Sequence, residues 1–344
     1  MNKKTTLIGG VLFISLLTII VFNYYNKIYG SNVTENALIQ IPTGTNIDEL
    51  KIILTPYLED VDSFEWVALK KKYANHIKSG QYTIKSDANN NDLVNLLRSG
   101  KQTPVKLSFN NQHHLENLAG RIALQIEADS ISLLYAFKDN DFLKQHDFSS
   151  NTALAMYIPN SYEIYWNTSA EAFRKKMLKE YKRFWKNNNR LNKAKNQNLT
   201  PLEVISLAAI VQKETAHIQE RPTVAGLYLN RYHHNWALQS DPTIIFALKE
   251  KYGQDFEVKR VLTKDLHIDS PFNTYKYRGI PPGPIAMPDI SSIDAVLNPK
   301  KHNYYYMCAS IEDFGKHSFA KTLSEHNRNA RKYQQWLSKQ GVNR

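Results

Sequence analysis

With one cysteine, Cys308, in 344 residues, this sequence cannot form an internal disulfide, and that residue lies too far from the amino terminus for amino-terminal lipidation. No zinc-ligand spacing and no aromatic signature of an RNA-binding module accompanies the basic residues, so nucleic acid is not the expected partner. The basic surplus is nevertheless real: 44 Lys and Arg stand against 32 Asp and Glu, a net charge of +12. These residues are scattered through polar helical stretches such as KKKYANHIK, RKKMLKEYKR and RNARKY. A surplus of this kind suits a polyanion, an anionic membrane surface or an anionic cell wall, and alone it does not choose among them. The length allows two domains of unequal size, with ample material for a core.

The amino terminus carries more information. After MNKK comes TTLIGGVLFISLLTIIVFNYY, an uncharged stretch long enough to cross a bilayer as a helix. It exceeds the apolar core of a usual signal peptide and no A-x-A cleavage site follows, which favours an uncleaved single-pass anchor. Lys3 and Lys4 then hold the start in the cytoplasm and send everything after Tyr25 across the membrane. The expected location is a bacterial inner membrane, with the bulk of the chain on the periplasmic or outer side.

Beyond the anchor, ALIQIPTGTNIDELKIIL reads as a strand, a turn and a helix begun at Thr45 and Asn46. SFEWVALKKKYANH is a second helix, GQYTI a strand, DANNNDLVNLLRSG a helix stopped by Gly100, and PVKLSF a further strand. This is a small α+β module without a catalytic cluster. From Asn110 the pattern turns mainly helical, through HLENLAGRIALQI and SAEAFRKKMLKEYKRFWKN. The intervening MYIPNSYEIYW, Ala155 and Met156 at its edge, suits either core or a surface on which sugar rings stack. Asp241 before Pro242 has the form of a helix N-cap. SPFNTYKYRGIPPGPIAMP has the stiff, irregular character of a loop that shapes a cleft. Two strands, in NYYYMCAS and around HSF, and a helix from about Ser324 close the chain.

One glutamate stands out. Thr200, Pro201 and Glu203 announce a helix through a T-x-x-E capping box, and Glu203 is occupied by that task. Glu214 follows Val211, Ile210 and Leu207 by three, four and seven residues, on the same stripe as three aliphatic side chains. Three readings are open: an ion pair with Lys213 or Arg221, a frayed helix end that turns the carboxyl to water, or a desolvated carboxyl that stays protonated and acts as a general acid.

The order of the motifs narrows them. V-Q-K-E-T is followed by L-Q-S-D-P-T, by N-T-Y with G-I-P-P-G-P-I, and by G-K-H-S-F with E-H-N. The series resembles the MltG (YceG-like) family of endolytic murein transglycosylases. That resemblance implies a transmembrane start over 1–26, a LysM-like α+β module over 27–106 and a larger, mainly helical α+β catalytic domain over 107–344. It puts the catalytic glutamate at Glu214 and sugar-binding groups at Gln239, Asp241, Asn273, Tyr275 and His317. It further implies peptidoglycan glycan strands as substrate, cell-wall synthesis proteins as possible partners, and chemistry that needs neither metal nor organic cofactor. At Ala155 and Met156 the chain departs from the family pattern, which often has an acidic residue and a glycine there. A peptidoglycan-binding scaffold without turnover and a lysozyme-type hydrolase remain the alternatives; the latter needs Asp241 to activate water.

Overall fold

The computed structural model describes residues 3–340, with side chains from Leu7 onward; Met1 and Asn2, half of the expected cytoplasmic start, lie outside the described residues. The chain mixes helices with small sheets and divides into two compact units. The first runs to Leu107 and is joined by Ala123–Ala128 and Tyr162–Ser169; the second holds Ser108–Ile122, Asp129–Ser161 and everything from Ala170.

Helix α1, Lys3–Tyr29, contains one stretch, Leu7–Tyr29, long and apolar enough to cross a membrane, with mean hydropathy 2.2. It continues past residue 26, and its last turns pack on the first unit, where Ile28 meets the core and Tyr24 lies 5.5 Å from the ring of Trp66. In that unit β1 (Ala37–Ile41) pairs antiparallel with β2 (Gly80–Ile84), Ile39 opposite Tyr82. Alternation puts Ile39 and Ile41 on the inner face and Leu38 on the outer one. Against that face lie α2 (Ile47–Leu54), α3 (Val61–Lys70) and α4 (Asn90–Ser99). Their starts are fixed by Asn46, Asp60 and Asn89, each accepting from a backbone N–H of the first turn, and α4 stops at Gly100 with φ +71°. The α1 end is tied in through Asn90, whose amide donates to the Lys27 carbonyl at 2.9 Å and to Ser63 Oγ at 2.8 Å. Glu127 accepts from the Thr43 hydroxyl at 2.7 Å, which accounts for the return of its segment to this unit.

The boundary between the units runs through β3 (Val105–Phe109) and β4 (Asn160–Ile164). The second unit begins with α5 (Leu115–Ala123), α6 (Ser130–Phe137) and α7 (Asn140–Gln145), then α8 (Ala170–Lys186) and α9 (Arg190–Asn196). Its centre is α10, Pro201–Glu214, whose residues from Val204 to Val211 are all buried. Around it pack α11 (Arg221–His233), α12 (Asp241–Tyr252) and α13 (Ile290–Leu297). The hairpin of β5 (Tyr306–Ala309) and β6 (His317–Ala320) and the closing α14 (Leu323–Lys339) complete it. Between α12 and α13 the chain is irregular apart from one short turn, Thr263–His267. Within that stretch Gly283 is required by a close approach: a Cβ there would meet the Asn151 carbonyl oxygen at 2.0 Å.

Candidate active site

The site is built on the last residue of α10. The capping box forms, with the Thr200 N–H donating to Glu203 Oε2 at 2.7 Å and the Glu203 N–H donating to Thr200 Oγ1 at 3.2 Å. Eleven residues on, three fully buried aliphatics, Leu207, Ile210 and Val211, share a stripe with Glu214. The Glu214 carboxyl accepts two hydrogen bonds, both on Oε1: from Tyr228 Oη at 2.7 Å and from Ser240 Oγ at 2.5 Å. Among the described residues it forms no ion pair. Arg221, an expected partner, sends its guanidinium to Asp289 at 3.3 Å and to Ser291 at 2.6 Å.

Burial raises the pKa of Glu214 above 4.5, against the two hydroxyl donors and His317, which pull it down; the charge of Asp241 pushes it up again. The C-terminal end of α10 acts in the same direction as burial, since unsatisfied carbonyls there disfavour a negative charge. Because Oε1 already receives two protons in hydrogen bonds, the carboxyl's own proton belongs on Oε2. Tyr228 is suited to permanent donation: burial first, then the neighbouring Glu214 charge, hold its pKa well above 10.0.

The loop before α12 supplies Ser240. This residue, rather than Asp241, is the helix N-cap, and Asp241 is the first residue of the helix. The expectation of an Asp241 cap fails because the carboxylate is engaged elsewhere, receiving the Tyr275 phenol at 2.5 Å. Ser240 makes no side-chain cap either, since its hydroxyl is turned to Glu214. The loop is clamped by Thr274, whose carbonyl accepts from Gln239 N at 3.0 Å and whose hydroxyl accepts from Ser240 N at 3.0 Å. Gln239 is exposed and held at φ +53°, a left-handed conformation costly for a residue with a Cβ.

Asn273, expected at a sugar, is turned to the backbone of its own loop. It is 0% exposed, and its amide donates to the carbonyls of Leu266 at 2.9 Å and Ile268 at 2.8 Å. Its oxygen accepts the N–H groups of Tyr275 at 2.9 Å and Lys276 at 3.1 Å, so its hydrogen-bonding capacity is filled. Asn273 shapes the loop that presents Tyr275. His317, on β6, is held by Glu220, which accepts the His317 N–H at 2.7 Å and lies 3.0 Å from Nδ1. With Nδ1 facing a carboxylate, the hydrogen sits there and Nε2 is left for other partners. Burial would raise the Glu220 pKa, but the His317 ring, the Thr215 hydroxyl and the His317 N–H hold it below 4.5. The aromatic segment is partly core: Met156, Tyr157 and Ile158 are buried, whereas Tyr165 is exposed. Among the described residues no group of three or more His, Cys, Asp or Glu could hold a metal.

The sequence pattern of the YceG-like family matches residues 39–332. The chain belongs to the YceG-like family. Among its relatives, the endolytic murein transglycosylase of Bacillus subtilis strain 168 is 28% identical, over 86% of this chain and 84% of the relative. A protein of the same name from Streptococcus pneumoniae D39 is 26% identical over 95% of this chain, which spans 65% of that relative's length. A crystal structure of a putative yceG-like protein from Listeria monocytogenes superposes with a TM-score of 0.55 at 26% identity, covering 86% of this chain and 98% of that one.

In this YceG-like chain, sequence reasoning missed Tyr228 and Glu220 and undervalued Ser240. Ser240 lies inside the quoted L-Q-S-D-P-T, so its position was visible and only its role was not. Tyr228 left a weaker trace, a phenol in an otherwise apolar helix segment, where a buried hydroxyl needs a partner. Glu220 left none.

Proposed function

We propose that the protein is a membrane-anchored endolytic peptidoglycan lytic transglycosylase in which Glu214 is both the acid and the base. The carrying observation is one carboxyl whose pKa burial raises while two fixed hydroxyls converge on it and support its ionised form. Glu214 delivers its proton from Oε2 to the glycosidic oxygen between N-acetylmuramic acid and N-acetylglucosamine. The bond from C1 to that oxygen breaks and the N-acetylglucosamine hydroxyl departs. The muramic C6 hydroxyl then bonds to C1, giving its proton to the Glu214 carboxylate and closing a 1,6-anhydro ring. No water is consumed and the carboxyl returns to its starting state. The nucleophile is part of the substrate, so proximity replaces a second catalytic carboxylate.

Gln239, Tyr275 and His317 are assigned to the sugar hydroxyl and N-acetyl groups. Asp241 acts through Tyr275 and through its charge on Glu214. The names of the relatives support this reading, as does a cleft-shaping loop held by a buried asparagine. The first unit is assigned as a LysM-like glycan-binding module, and the 1–26, 27–106 and 107–344 division as anchor, module and catalytic domain. Lys3 and Lys4 put the start in the cytoplasm and the site on the wall side. Cutting nascent strands internally there would end their elongation beside the synthesis proteins.

The test is digestion of purified sacculi by the full-length protein in detergent, with the new ends identified by mass. Internal fragments with 1,6-anhydro-muramic ends are expected. Reducing ends that have taken up water would support a hydrolase, and binding without cleavage would support a scaffold.

A further inference from the structure

A cleft of about 500 Å³ opens in the second unit, and Glu214, Tyr228, Ser240, Tyr275 and His317 are absent from its walls. One wall is a face of α12. Pro242, Ile245, Phe246 and Lys249 recur at 0, +3, +4 and +7, the spacing of a single helical stripe. This stripe starts one residue after Asp241 and ends at a lysine about 10 Å farther along the helix axis. Lys213, the neighbour of Glu214, faces the same space, as do His113 and His114 just ahead of α5.

The cleft is electrostatically unfinished. Two lysines and two histidines line it with one acid, Asp255, and neither Lys213 nor Lys249 has an ion-pair partner among the described residues. The bases also disturb one another. Burial first, then Lys249, lowers the Lys213 pKa, and burial, Lys213, His114 and Lys249 lower that of His113. Uncompensated like charges at short range are relieved by a bound anion. Beside the amides of Asn117 and Gln254, the walls carry an apolar surface of Ile245, Phe246 and Ile285, so the matching ligand has both carboxylates and methyl-bearing surface.

We infer that this cleft binds the peptide stem of the muramic residue at the scissile bond, with Lys213 and Lys249 taking stem carboxylates and the α12 stripe taking its alanine methyls. The inference rests on the transglycosylase reading above. Under that reading the stem hangs from the sugar whose C1 is attacked, and the cleft takes Lys213 and Pro242, the chain neighbours of Glu214 and Asp241, into its lining. A bare glycan strand is the poorer match, because each muramic residue then offers a single lactyl carboxylate held close to the ring, whereas a stem carries carboxylates and alanine methyls together on one extended arm. A stem with more carboxylates than amines also suits a lining in which two lysines face one acid.

The experiment uses full-length protein in detergent and soluble glycan strands bearing native stems, alongside the same strands after carbodiimide coupling of the carboxylates to methylamine. Wild-type kcat/KM should favour native stems by about tenfold or more, the range of a few charge-assisted hydrogen bonds. In the K213M/K249M double variant that ratio should fall toward one. Equal cleavage of both strands by wild type, or an unchanged ratio in the variant, overturns the inference and leaves the transglycosylase reading standing. Failure of wild type to cut any strand overturns that reading, and the inference with it.

Discussion

The two ends of α10 each carry a glutamate that accepts two hydrogen bonds on a single oxygen, yet only one of them suits acid catalysis. At the first turn, Glu203 Oε2 receives the N–H and hydroxyl of Thr200 at 2.7 and 2.8 Å. There the helix dipole and the free N–H groups favour a negative charge. At the last residue, Glu214 Oε1 receives Tyr228 and Ser240 at similar distances, but burial and the carbonyl end of the helix oppose the charge. Hydrogen-bond count therefore does not decide the role of a carboxyl. What decides is whether its surroundings leave the proton on it while keeping the ionised form within reach.

The largest expected effect of breaking this contrast comes from Glu214→Gln, which removes the proton and keeps the shape. Turnover on sacculi should fall by about 100- to 10,000-fold. The fold should persist, and its stability should titrate with a definite sign. A raised folded-state pKa means that the wild-type carboxyl favours folding below 4.5 and loses that contribution as pH rises through its folded value. The melting temperature of Glu214→Gln relative to wild type should therefore climb with pH across that window. A constant offset would mean that Glu214 is not the perturbed group.

Ser240→Ala should have an intermediate effect. Losing one donor to the charged form should move the alkaline limb of the kcat/KM profile upward by about one to two pH units. The proton-delivery half-step should slow by about tenfold, because the carboxylate it leaves behind is less stabilised and Glu214 becomes the weaker acid. An unshifted limb would assign Ser240 a packing role only. The smallest effect belongs to Glu203→Gln, since glutamine still completes the capping box. Activity should stay within about twofold and stability within about 0.5 kcal/mol. A large activity loss there would erase the contrast between the two ends.

Much of this contrast was legible before any coordinates. The capping box and the 3.6-residue stripe are local signals; the first marks the start of α10 and the second puts Glu214 on its aliphatic face. The S-D-P turn was harder: Ser240 and Asp241 are both good caps, and only distant partners, the Glu214 carboxyl and the Tyr275 phenol, explain why neither side chain caps α12. The surroundings of Asn273 were hidden for the same reason, since nothing in N-T-Y reveals that four backbone groups surround its amide. Tyr228 and Glu220 act across 14 and 97 residues of sequence, on Glu214 and His317. Pairings at such separations leave no periodic trace. Helices α6, α7, α9 and α13 were missed because six to eight residues are too few to establish a period. The split of the first unit into three chain segments was equally invisible, since it depends on the return of Ala123–Ala128 and Tyr162–Ser169.

The central claim, that α10 ends in a carboxyl kept protonated beyond its ordinary range, is open to direct titration. Infrared difference spectra of the full-length protein in detergent, wild type minus Glu214→Gln, isolate the carboxylic-acid band of this one residue across pH. The account predicts that the band survives above pH 4.5 and bleaches at a higher midpoint, with the carboxylate band growing in step. A midpoint at or below 4.5 would contradict it, making Glu214 an ordinary carboxylate like its counterpart at the other end of the helix.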